Sequence, residues 1–165
     1  MSSDTITPGL GLPYLLDDGE GEVIRWFGDT ITVKAAGPAF DVAVVNAVAG
    51  NEPPLHLHEH DDEAVFVLEG EITIYIESDT FAAGAGAFAF VPRGLRHTHA
   101  VDSGRARLLT IVRPSGSLDM YAAAEDHYGP RAMPAALRPD DIQRLAPALA
   151  RGGFTIVGPH PRAAP

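Results

Sequence analysis

Four side chains near the middle of this 165-residue sequence are of the types that hold a transition metal: His56, His58, Glu63 and His97. His56 and His58 stand two apart in LHLHEH, and on an extended strand residues i and i+2 point to one face, which makes the two imidazoles a chelating pair. Glu63 follows across an acidic turn and opens the next apolar run, so its carboxylate can return to the same interior. His97 opens a later run, HTHAV, and offers a fourth donor. Three imidazole nitrogens and one carboxylate oxygen suit a borderline divalent ion such as iron, nickel, manganese, copper, cobalt or zinc, and do not favour calcium or magnesium. An ion that accepts five or six ligands keeps room for water, dioxygen or a chelating substrate, with Glu63 placed to take a hydroxyl proton as general base. Zinc held tetrahedrally keeps none unless Glu63 moves away.

Other histidines are weaker candidates. His60 and His99 extend the alternation but are expected beyond the ligand set or near a rim, and His127 and His160 fall in a helical region and a tail, where ordinary structural roles are expected. For the walls of a cavity, Val65 and Val67 share the face of Glu63, while Phe88 and Phe90 share a face of the strand before Pro92. One of these two sets is expected to line a substrate pocket, with core filling as the competing role.

The elements that must position these groups are strands. Apolar and polar residues alternate with period two in short runs broken by Gly, Pro and Asp. Ile31, Val33 and Ala35 share one face, Val42, Val44 and Val48 another, and the pattern continues through 65–68, 71–76, 87–91, 97–101 and 106–112. Gly70 between two runs marks a tight hairpin. Seven or more short strands predict an all-β sandwich or closed antiparallel barrel, since closure removes exposed edges. After Pro114 the composition shifts to Ala, Leu and acidic residues. Residues 118–127 and 140–149 read as two short helices capped by Ser117 and Asp140, with Pro147 ending or kinking the second. The last residues, ending PHPRAAP, are expected to be mobile. The division that results is 1–29 for an N-terminal extension and first strands, 30–113 for the barrel, and 114–165 for the helices and tail.

Composition narrows the partners. With 12 Lys and Arg against 22 Asp and Glu the formal net charge is -10, which repels phosphate backbones and anionic lipid, so neither nucleic acid nor a membrane is an expected partner. Without cysteine there are neither disulfides nor thiolate ligands. The opening MSSDTITPGLGLPYLL lacks a basic, then apolar, leader pattern, and no apolar run approaches a membrane span, so a cytoplasmic location is expected.

The residues resemble a known family. Gly50, His56, His58, Glu63 and Gly70 stand in the spacing G-x5-H-x-H-x4-E-x6-G of the first cupin motif, and Gly86, Pro92, Gly94 and His97 in the spacing G-x5-P-x-G-x2-H of the second. The asparagine expected four residues after His97 is Val101 here. The resemblance covers roughly Thr30 to Arg113 and implies an RmlC-like antiparallel jelly-roll barrel, followed here by the two short helices. Within the cupins, PYLLDDGEGEVIRWFGDTITVKAAG, the motif pair and the trailing helices are similar to the single-domain quercetin (flavonol) dioxygenase-like group. The Phe27-Gly28-Asp29 portion also reads as a plain turn. That resemblance implies one divalent metal per chain on His56, His58, Glu63 and His97, Glu63 as base, and dioxygen insertion into a small aromatic or enolic compound. The alternatives are a non-oxidative isomerase, lyase or cyclase, or a cupin that binds a small molecule without catalysis. A homodimer is the oligomer the family implies.

Overall fold

The computed structural model describes residues 12–114, Tyr121 and 138–162. Eleven strands and one helix follow in chain order: β1 (Glu22–Trp26), β2 (Asp29–Ala35), β3 (Asp41–Val48), β4 (Leu55–His58), β5 (Asp62–Glu69), β6 (Glu71–Ile76), β7 (Asp79–Gly84), β8 (Phe88–Val91), β9 (His97–Val101), β10 (Arg105–Arg113), α1 (Pro139–Arg151) and β11 (Phe154–Gly158). They form a six-stranded sheet ordered β1-β2-β3-β10-β5-β8 and a five-stranded sheet ordered β11-β4-β9-β6-β7. Every pairing is antiparallel. The all-β jelly roll implied by the family resemblance is the observed fold. No helix among the described residues is long and apolar enough to cross a membrane.

Two turns show how local chemistry sets the frame. Trp26 pairs with Asp29, leaving a two-residue hairpin whose Phe27 and Gly28 have φ of 46° and 96°. Two positive φ values in succession suit the right-handed twist of a hairpin but strain a phenylalanine, and full burial of the Phe27 ring offsets that strain. Gly70 joins β5 to β6 at φ 85°, and a Cβ there would stand 2.6 Å from the Arg105 carbonyl oxygen, so both the dihedral and the space require glycine.

Register determines which side chains face inward. Across the larger sheet the rows Glu63–Val112–Asp41, Val65–Thr110–Ala43 and Val67–Leu108–Val45 lie level. The inward set of β3 is therefore Asp41, Ala43, Val45 and Ala47, not Val42, Val44 and Val48. At one end of the barrel Val67, Ile72, Val101, Ala106 and Leu108 form an apolar core. The opposite, ligand-bearing end is open enough to hold a cavity.

The expected helix over 118–127 lies outside the described residues apart from Tyr121, which is helical. The region after it departs from expectation in three respects, beginning with the cap of the second helix. Pro139 occupies the first helical position, where its missing N–H costs nothing, and Asp141, not Asp140, accepts from the Arg138 backbone N–H at 3.0 Å. The helix also continues through Pro147 to Arg151. Pro147 and Gln143, whose carbonyl loses its partner, both face solvent, while Leu145 and Leu149 are buried against Phe27 and Phe154. Finally, residues 154–158, where no strand is expected, form β11, an edge strand paired with β4.

Candidate metal centre

The four donors arrive from both sheets. β4 carries His56 and His58, β9 carries His97 directly opposite His56, and β5 of the facing sheet carries Glu63. One ligand atom of each lies within 4.8 Å of all the others. Glu63 Oε2 stands 3.1 Å from His97 Nε2 and 3.6 Å from His58 Nε2. The three imidazoles are almost completely buried.

Outer contacts orient the rings. His56 Nδ1–H donates to the Pro54 carbonyl at 2.8 Å and His97 Nδ1–H to the Leu95 carbonyl at 2.9 Å, which aims each Nε2 at the common centre. His58 Nδ1 lies 3.8 Å from the buried Asp61 carboxylate. The Pro53-Pro54 pair in front of β4 holds the chain extended and leaves the Pro54 carbonyl without a competing helical role.

Electrostatics follow from burial and crowding. Burial, reinforced by His97 and His58, drives His56 well below the ordinary imidazole range, and burial lowers His58 as well, so both are held in the neutral, lone-pair form. For His97 burial also pulls down, but the hydrogen bond and charge of Glu63 prevail and raise it. Burial pushes Glu63 up, yet the His97 hydrogen bond and the surrounding imidazoles prevail and bring it to about 2. With Nδ1–H committed to Leu95, the His97–Glu63 contact is bridged by a proton on Nε2, which a bound cation would displace. Two neutral imidazoles, a third whose Nε2 proton a cation would replace, and one ionised carboxylate fit a divalent transition ion.

Beside this cluster is a cavity of about 110 Å³. Ile31, Val45, Val65, Ile74 and Leu108 supply apolar walls, Trp26 and Tyr121 close one side, and Asp29, Asn51 and His99 add polar groups. The Trp26 and Tyr121 rings meet edge to face at 4.9 Å. Burial, with Glu63 and Asp29 nearby, raises the Tyr121 phenol.

The structure brings His56, His58, Glu63 and His97 together and separates the other expected site residues. Val65 lines the cavity, whereas Val67, 1% exposed, belongs to the apolar core at the far end. Phe88 and Phe90 point outward and are 63% and 55% exposed. The reason is parity: Glu63 pairs with Val91 and Val65 with Ala89, so Ala89 and Val91 are the inward residues of β8. His99 lines the cavity, His60 is exposed with its ring over Gly153, and His160 is hydrogen-bonded to the His99 carbonyl at 3.1 Å. His127 lies outside the described residues. Sequence reasoning missed Asp29, Trp26, Tyr121 and Phe154 as wall residues. The apolar alternation of Phe154 and Ile156 was the one available signal for the last.

Comparison with known proteins agrees with this architecture. Residues 43–112 match the family model of the cupin domain. Quercetin 2,3-dioxygenase of Bacillus subtilis (strain 168) is 27% identical over 121 residues, covering 71% of this chain and 36% of that protein, so the match spans about a third of the relative's length. Among solved structures, KdgF from Halomonas sp. superposes with a TM-score of 0.58 at 16% identity, over 63% of this chain and 96% of that one. An RmlC-like cupin from Shewanella frigidimarina NCIMB 400 gives 0.57 at 18%, over 63% and 93%. The nucleoside dehydratase Pac13 of Streptomyces gives 0.51 at 23%, over 62% and 83%. At such identities these structures speak to the fold alone.

Proposed function

We propose that this chain, a member of the cupin superfamily, is a metal-dependent dioxygenase acting on a small aromatic or enolic compound that carries adjacent oxygen donors. One observation carries the reading: three imidazoles and a carboxylate converge at the wall of a largely apolar cavity. The likeness to a quercetin 2,3-dioxygenase supports the oxidative class. His56, His58, Glu63 and His97 would hold one ion, drawn from iron, nickel, manganese, copper, cobalt or zinc. When bound, such an ion polarises a chelating oxygen of the substrate and makes its hydroxyl more acidic.

The remaining work falls to the chain. Glu63, ionised and within reach of the centre, accepts the proton of the acidified hydroxyl. Ile31, Val65, Ile74 and Leu108 exclude water from the ring of the substrate and orient it by shape. A homodimer is part of the proposal, with the outward Phe88 and Phe90 of edge strand β8 as exposed apolar surface it can cover.

Oxygen uptake decides the matter. Protein reconstituted with each metal in turn is offered flavonols and simple catechols or enediols in an oxygen electrode, and substrate-dependent consumption that disappears in His56→Ala is expected. Turnover of the same compound under strict anaerobiosis would reject the oxygenase and favour a lyase or isomerase.

A further inference from the structure

Phe154 is in ring contact with two of the four donors. Its ring is stacked on His56 at 4.2 Å and 18°, and meets His58 at 5.3 Å and 75°. Backbone pairing enforces this position, because β11 lies antiparallel to β4 with Phe154 opposite His58 and Ile156 opposite His56. Behind the ring, Leu145 and Leu149 of α1 and the buried Phe27 complete an apolar backing.

The strand is tied at both ends. Before it, Glu59 N–H donates to the Gly153 carbonyl at 2.7 Å, and Gly153 adopts φ 80°, where a Cβ would stand 2.8 Å from the His60 ring. Thr155 Oγ1 donates to Glu59 at 2.7 Å. After it, the Arg162 guanidinium donates to Tyr75, Asp102 and Thr73 at 2.7 to 2.9 Å, fastening the chain to the face of β6. α1, β11 and Arg162 lie beyond the residues 43–112 that match the cupin model.

We propose that α1 and β11 form a clasp on the metal centre, in which Phe154 is a positioning residue that fixes the ring planes of His56 and His58 and thereby slows release of the bound ion. Release requires a ligand ring to swing off the ion. The hydrogen bond to Pro54 fixes one nitrogen of His56 but still permits the ring to tilt about it, and an aromatic plate against its face removes that freedom. Losing one stacked pair corresponds to roughly a five- to tenfold change in rate.

The inference rests on the four residues being metal ligands, and its test separates the two claims. Full-length wild type, Phe154→Leu and Phe154→Tyr are loaded with cobalt(II), and loss of the cobalt absorption bands is followed after adding excess chelator. Phe154→Leu, which keeps an apolar side chain but loses the plate, is expected to release cobalt about five- to tenfold faster, and Phe154→Tyr at the wild-type rate. Equal rates in wild type and Phe154→Leu overturn the clasp, whereas wild type that takes up no cobalt overturns the ligand assignment instead. Should Phe154→Leu not fold, hydrogen exchange on wild type decides. Coupling is reciprocal, so loading cobalt is expected to slow exchange in β11 more than in edge strand β7, and an equal change in both overturns the clasp.

Discussion

Asp29 gives the sharpest quantitative prediction because its environment separates charge from shape. Its side chain is buried at the start of β2, and Oδ1 accepts the Val48 N–H at 2.8 Å. Burial dominates and, with Glu52 adding repulsion, raises the carboxyl from 3.8 to about 7 in spite of the hydrogen bonds from Val48 and Asn51. Between these two values the folded protein keeps a proton that the unfolded chain has released, so stability falls as pH rises from about 4 to 7 and is level above that window. The interval of about 3 units is equivalent to about 4 kcal/mol. In Asp29→Asn the amide oxygen still accepts from Val48, but nothing titrates. The variant is therefore expected to match wild type near pH 4 and to exceed it by about 3 to 5 kcal/mol at pH 8. Urea unfolding of metal-free protein at pH 4, 5, 6, 7 and 8 measures this. Taking the difference between the two proteins cancels the histidines, which titrate equally in both. Stability curves that run parallel across the window would refute the assignment of a buried, proton-holding carboxyl.

Three further outcomes are expected. His56→Ala and His97→Ala should each lose most bound metal by elemental analysis while remaining folded, and full occupancy in either variant removes that residue from the ligand set. Val65→Phe, which fills the cavity, should lower turnover about tenfold or more through lost alignment of the substrate, whereas Phe88→Ala on the outer surface should leave turnover within about twofold; steady-state kinetics on any compound found to be a substrate compares them. Gly70→Ala should cost about 1–3 kcal/mol in chemical denaturation, since the φ of 85° and the Arg105 carbonyl both oppose a Cβ, and unchanged stability would contradict the tight hairpin.

How far the sequence reveals the site depends on whether a feature is local. His56 and His58 are legible because i and i+2 on a strand share a face whatever the strand pairs with, and the spacings to Glu63 and His97 match those of a known barrel. Phe88 and Phe90 show the converse. Their common face is evident, but whether it points inward depends on the pairing of β8 with β5, and a shift of one residue reverses it. β11 is hidden for a related reason: five residues after a Gly-Gly pair have no periodicity long enough to read, and their partner β4 lies about a hundred residues earlier in the chain. Pro147 misleads because one lost hydrogen bond can kink a helix without ending it, and here Pro147 and Gln143 lie on its exposed face while Leu145 and Leu149 anchor the other.

The division of the ligands between the sheets, three rings on one and a lone carboxylate on the other, has a mechanical consequence. An ion seated among them rivets the two halves of the sandwich at one end, while Val67, Ile72 and Leu108 keep the other end shut by themselves. Removing such an ion would loosen the tie between the sheets at that end and leave the apolar end closed.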